Sequence, residues 1–302
     1  MSALTSLIDI LTDLPIVRIL DIGAMYTQKA PWSHLVERGA AELIGFEPDA
    51  EKCAELNRIF RGKGTFYPWF IGDGKKATFF ETNWAATGSL FRPNQALLEQ
   101  FNNLAELMTL KAQHPVNTVR LDSIVGLGKV DMIKIDVQGA ELMVFNGARQ
   151  VLASTSLIQT EVNFLPLYQN QPLFADVDRH LRNFGFQFHT FAGLSSRAYK
   201  PLQLPNPNHG LHQVIWGDAV YFKNSQNFAK LPSDELLKLA LLLHDIYTSY
   251  DVVYLLLYIF SSRENKNFIG KYHEWLVQAH PELETPKYLS PDYTPVHGWK
   301  ST

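Results

Sequence analysis

Four carboxylates stand where apolar runs of this chain stop. Asp21 lies in Ile19-Leu20-Asp21-Ile22-Gly23-Ala24, Glu47 in Gly45-Phe46-Glu47-Pro48, Asp73 in Ile71-Gly72-Asp73-Gly74, and Asp136 in Ile133-Lys134-Ile135-Asp136-Val137-Gln138-Gly139-Ala140-Glu141. A fifth acid, Glu161, falls near the end of the run Leu157 to Asn163. Such a rim repels phosphate, accepts hydrogen bonds from hydroxyls and exocyclic amines, and attracts a cation. Gly23 and Ala24 leave room for a ligand to approach the backbone. Glu47 follows Gly23 by 24 residues, near the spacing at which an acid reaches ribose hydroxyls in mononucleotide folds, and Asp73 can accept from an amine such as that of adenine.

These acids need elements to hold them at one edge. From residue 16 to about 190, strand-like and helix-like segments alternate, the pattern of a parallel sheet covered by helices on both sides. Central strands are expected at Val17 to Ile22, Glu42 to Glu47, Thr65 to Ile71, Val130 to Val137 and Leu157 to Asn163, and Val130 to Val137 is too continuously apolar for a half-exposed strand. Helical spacing covers Trp32 to Gly39, Cys53 to Phe60, and Leu142, Phe145, Ala148 and Leu152. In such sheets ligands bind beyond the carboxyl ends of the strands, where these acids lie.

Asn83 to Val116 interrupts the alternation with Leu97, Leu98, Phe101, Leu104, Leu107, Met108 and Leu110, a helical spacing long enough to lid a site. Thr78 to Phe80 reads as a short edge strand, and Phe186 to Phe191 and Gln213 to Phe222 as two closing strands joined by a polar, proline-containing loop. Ser233-Asp234-Glu235 resembles a helix start, and the leucines that follow make residues 233–302 a helical appendage with an irregular tail, set apart from residues 1–232.

Composition narrows the function. The 302 residues are 46% hydrophobic and 19% charged, with a formal charge of -3 and 27 scattered basic residues. Nothing there favours nucleic acid or an anionic membrane. The one cysteine, Cys53, excludes an internal disulfide and a thiolate zinc cluster and suits a reducing, cytoplasmic setting. His244, Asp245, Ser249 and Asp251 interrupt the most apolar stretch, Leu236 to Phe260, so no membrane span is expected. Met1 to Leu14 lacks the basic start and apolar centre of a signal peptide.

A ligand with a ribose, a positive charge and no phosphate is S-adenosylmethionine. Met25 and Tyr26 stand where a dinucleotide fingerprint wants small residues, which counts against a nicotinamide cofactor and a nucleotide-dependent oxidoreductase. On the motifs above, together with Ser89-Leu90, Val119-Arg120-Leu121-Asp122, Glu161-Val162 and Gln213-Val214-Ile215-Trp216-Gly217-Asp218-Ala219, residues 16 to 223 resemble the FkbM family of methyltransferases. The resemblance implies a doubly wound, seven-stranded, mostly parallel Rossmann-like sheet with an antiparallel last hairpin. It also implies S-adenosylmethionine as cofactor and methylation of a hydroxyl on a small molecule such as a sugar or natural product. The family usually carries Glu where this chain has Gln138.

Cofactor contacts are expected from Asp21, Gly23, Ala24, Glu47, Asp73, Ser89 and Asp136. Asp136 and Glu161, at adjacent strand ends, can take the hydroxyl proton or orient the hydroxyl, a role ranked above shared metal binding, and no metal is expected. His212, with His189 and His209 nearby in sequence, is the candidate histidine. Trp84, Tyr168 and Trp216 can wall an acceptor pocket. Each has a plainer reading: Asp21 and Asp136 as helix caps, Asp73 as a turn residue, Lys134 as an ion-pair partner, the aromatics as core. A non-catalytic scaffold, with the helices after Ser233 recruiting a partner or a second copy, is the alternative to an enzyme.

Overall fold

The computed structural model describes residues 5–25 and 30–281. Ten strands run β1 (Val17–Ile22), β2 (Ala41–Phe46), β3 (Gly64–Tyr67), β4 (Phe70–Ile71), β5 (Lys76–Thr82), β6 (Leu110–Val119), β7 (Met132–Ile135), β8 (Leu157–Asn163), β9 (Phe186–Ser196) and β10 (Val214–Lys223). Seven form one sheet in the order β3-β2-β1-β7-β8-β10-β9. β10 alone runs against its neighbours, β8 and β9, while the other pairings are parallel. The chain therefore reverses its direction of strand addition between β1 and β7, which opens a crevice at their carboxyl ends.

Alternation along each strand divides the core in two. Val17, Ile19, Met132, Leu157, Val220 and Phe222 face one side, where they meet Leu35, Val36, Cys53 and Leu56 and the helices Ser233–Tyr247, Tyr250–Arg263 and Phe268–Ala279. Leu20, Ile22, Ile133, Ile135 and Ile158 face the other, against Val144, Phe145, Leu152, Val177 and Leu181 of the helices Glu141–Asn146, Arg149–Ser154 and Phe174–Asn183. The sheet is thus buried on both faces, which explains its unbroken apolar runs. The leucines after Ser233 spend their apolar surface on this sheet. Among the described residues no helix is long and apolar enough to cross a membrane.

Three segments depart from the sequence reading. The strand expected over Thr65 to Ile71 breaks at Pro68-Trp69, because proline cannot donate to a ladder. β4 then leaves the main sheet for a second one, ordered β4-β6-β5. The lid segment is not one helix: it contains the single turns Gln95–Leu98 and Leu104–Leu107 and ends in β6. Its leucine spacing serves a third apolar cluster, in which Leu98, Phe101, Leu104 and Met108 pack on Tyr168 and Ile215. Likewise the helix expected after Asp136 is interrupted between Asn146 and Arg149. Of the tail and the turn at Met25-Tyr26, residues 282–302 and Tyr26 lie outside the described residues.

Candidate active site

The edge of the sheet is tied together by backbone before any side chain acts. Gly23 and Ala24 donate to Phe46 O at 3.0 and 3.1 Å, Asp136 N donates to Ile22 O at 3.0 Å, and Glu47 N to Tyr67 O at 3.2 Å. Gly23 has φ +81°, and a Cβ there would stand 1.9 Å from Asp136 O. Only glycine lets the turn after β1 come so close to the end of β7.

Lys134, in β7, lies beneath the crevice. Its Nζ is 3.6 Å from Asp21 Oδ1, 4.0 Å from Asp136 Oδ2 and donates to Gly23 O at 3.4 Å. Burial pulls its proton affinity down, but Asp21, Asp136, Asp218 and Glu161 outweigh it and hold the ammonium charged. Asp21 is fully buried against this lysine and does not line the cleft.

The loop after β7 builds the reactive end. Glu141 accepts from Val137 N at 3.0 Å and Gly139 N at 3.2 Å, pinning the turn. Burial pushes the Glu141 carboxyl up to about 7. Gln138 sits in the left-handed region, φ +56°. Its Nε2 donates to Asp136 Oδ1 at 2.8 Å and to Glu161 Oε2 at 3.0 Å. Ser89 Oγ donates to Gln138 O at 2.6 Å, and the Tyr168 hydroxyl stands 2.9 Å from Gln138 Oε1 and from Thr87 O. One amide thereby bridges two carboxyl groups and is oriented by a buried tyrosine. Burial, then the charges of Asp136, Glu141 and Asp218, make Glu161 hold its proton far more tightly than a free glutamate. Asp136 is the more accessible of the pair, with a third of its side chain exposed.

A cleft of 670 Å³ opens over this edge. Gly23, Glu47, Ser89, Asp136 and Glu161 all line it, as do Trp84 and Trp216. Glu47 spends one oxygen on Asp49 N at 2.9 Å, and burial raises its proton affinity. Beside it, Trp69 stacks on Tyr67 with centroids 4.7 Å apart and planes at 21°, giving an aromatic wall. Ala24 supports the edge from within the core. Asp73 does not line the cleft: it closes its own turn on Lys75, which holds its carboxyl below the usual range. His212 is exposed on the closing loop, and His189 bonds Ser249 at 2.7 Å. Neither of these two histidines lines the cleft. Gln138, Trp69 and Arg197 line it without having been expected; Trp69 follows a strand-breaking proline, whereas no sequence signal marks Arg197.

The strand order, the switch-point crevice and its carboxylate rim define a Rossmann-like methyltransferase. Residues 21–188 match the model of the methyltransferase FkbM domain, and the chain belongs to that family. It is 34% identical over 182 residues to the 2-O-methyltransferase NoeI of Sinorhizobium fredii (strain NBRC 101917 / NGR234), covering 53% of this chain and 69% of that one. Among solved structures it is similar to precorrin-6y C5,15-methyltransferase from Geobacter metallireducens GS-15, at 11% identity and TM-score 0.32 over 72% of this chain and 85% of that one. The 23S rRNA methyltransferase ErmE is similar at 8% identity and TM-score 0.34, over 78% and 74%.

Proposed function

We propose that the protein methylates a hydroxyl of a small acceptor, such as a sugar or natural product, with S-adenosylmethionine as donor. The observation that carries this is the Asp136–Gln138–Glu161 bridge at the end of β7 and β8, open to an acid-rimmed cleft. The donor set fits the cofactor: Glu47 stands past β2 for the ribose, Trp69 offers a flat apolar wall for a base, and the carboxylate of Asp136 suits a cationic sulfur. When bound, S-adenosylmethionine supplies an electrophilic methyl group and leaves as a neutral thioether. Asp136 orients the acceptor hydroxyl and takes its proton as the oxygen attacks. Gln138 keeps Asp136 aimed, and Glu161 supports the amide from the far side. The relative's activity on a 2-hydroxyl agrees with oxygen as the atom methylated. A cytoplasmic location is consistent with Cys53, which is free and buried.

Calorimetric titration with S-adenosylhomocysteine tests the cofactor. Wild type should bind, and Glu47→Ala should bind about 10- to 100-fold more weakly, the worth of a hydrogen bond to a charged group. No binding to wild type would sink the proposal. With an acceptor found by screening, Asp136→Asn should lower turnover by roughly 10²- to 10⁴-fold without unfolding; full activity would remove Asp136 from the chemistry.

A further inference from the structure

The cleft is acidic at one end and has a different character at the other. Where β9 ends, Arg197 turns into the cleft beside Trp216. Only 8% of the residue is exposed, its guanidinium carbon stands 4.7 Å over the Trp216 ring, and Nη1 donates to the carbonyls of Ser196 and Asn208. Those contacts fix the plane of the fork. They do not neutralise it: among the described residues no carboxylate lies within ion-pair distance of Arg197, and Nε is buried without a hydrogen-bond partner. Burial alone lowers its proton affinity, with no acid raising it.

A buried, unpaired charge is costly, and the acids at the other end of the cleft show that partners could have been placed beside it. Elsewhere the same sheet edge pairs its cation thoroughly, since Lys134 has two carboxylates within 4.0 Å. Arg197 differs in lining open space. A held guanidinium matches the planar or tetrahedral oxygens of an oxyanion, and stacking on Trp216 prevents it from swinging out to solvent.

We propose that Arg197 is the acceptor-recognition residue, and that the acceptor is a hydroxylated molecule carrying an oxyanion group such as a carboxylate, phosphate or sulfate. The group docks on the guanidinium, and the apolar part of the acceptor lies along Trp216, Leu104 and Met108, which line the same cleft. The arrangement also sets direction. Asp136 repels the anionic end of such an acceptor, so the hydroxyl rather than the anion is presented to it. This assignment rests on reading the cleft as a methyl-transfer site.

The test uses the full chain loaded with S-adenosylhomocysteine. Sulfate, phosphate and acetate are titrated at constant ionic strength set with chloride, and the thermal midpoint is followed. Wild type should show a saturable rise with at least one oxyanion above the chloride control; acetate against sulfate and phosphate separates a carboxylate site from a tetrahedral one. Arg197→Gln should weaken that response at least tenfold, and Arg197→Lys, which keeps the charge and loses the fork, should weaken it several-fold. S-adenosylhomocysteine affinity should stay within about twofold in both variants, which also reports that the cleft is folded. No saturable oxyanion effect in wild type, or an undiminished one in either variant, overturns the proposal. Failure of S-adenosylhomocysteine to bind wild type instead removes the methyl-transfer reading, and the anion response is measured separately on the unloaded chain.

Discussion

At the level of single residues, Glu141 couples the site to pH. Its folded carboxyl titrates at about 7 instead of 4.5 because burial disfavours the charge. The folded state therefore binds this proton more tightly than the unfolded chain. Its contribution to stability is complete below about pH 4.5 and is lost as pH rises through 7, to a total of roughly 3 kcal/mol. Glu141→Gln keeps an oxygen for the Val137 and Gly139 amides. It should match wild type near pH 4.5 and exceed it by up to about 3 kcal/mol at pH 8.5, measured by urea unfolding at both values; parallel pH profiles would show that Glu141 is not the group responsible. Glu47, Asp136 and Glu161 line the cleft, and their places at one edge were legible because an acid that ends an apolar run has few plain roles; Asp21 serves Lys134 instead. Asp73 misled because Pro68 carries its strand out of the main sheet. Arg197 was invisible, since its meaning lies in what fails to surround it in three dimensions. The family's usual glutamate is Gln138 here, and the structure gives that amide two carboxyl groups to donate to.

Among elements, the approach of the turn after β1 to the end of β7 is the least forgiving contact. Gly23→Ala places a methyl group 1.9 Å from Asp136 O and forces a side chain into φ +81°. Both strand ends must move apart. We expect a loss of about 2–4 kcal/mol of stability and at least tenfold weaker S-adenosylhomocysteine binding; an alanine variant that unfolds and binds like wild type would refute the tight approach. β1 and β8 were readable to the residue because both faces of each are buried, so composition and burial agree. β6 was not. Its residues Lys111, Gln113, His114 and Asn117 are polar and Pro115 sits mid-strand, and it pairs outside the main sheet against β4 and β5. Local leucine spacing in the segment before it reflects tertiary packing on Tyr168, a partner distant in sequence.

For the whole molecule, the helices after Ser233 matter more than an appendage would. Leu236, Leu239, Leu242 and Leu243 are fully buried in the same cluster as Val17, Ile19 and Met132. Each such side chain is worth about 1.5–3 kcal/mol when buried, so losing four offsets most of a typical net stability of about 5–15 kcal/mol. We propose that the described residues form one cooperative unit. A chain ending at 232 should lack a cooperative thermal transition and fail to bind S-adenosylhomocysteine; a truncated protein that melts sharply and binds would establish an independent domain. Asp245 extends the point. It accepts from Ser6 Oγ and from Leu7 N at 2.9 Å, and meets His34 Nε2 at 2.8 Å, bonds that span more than two hundred residues. During synthesis the first strands leave the ribosome long before the layer that covers them. Their apolar face must wait, exposed to chaperones and to other nascent chains, until the last helices are made.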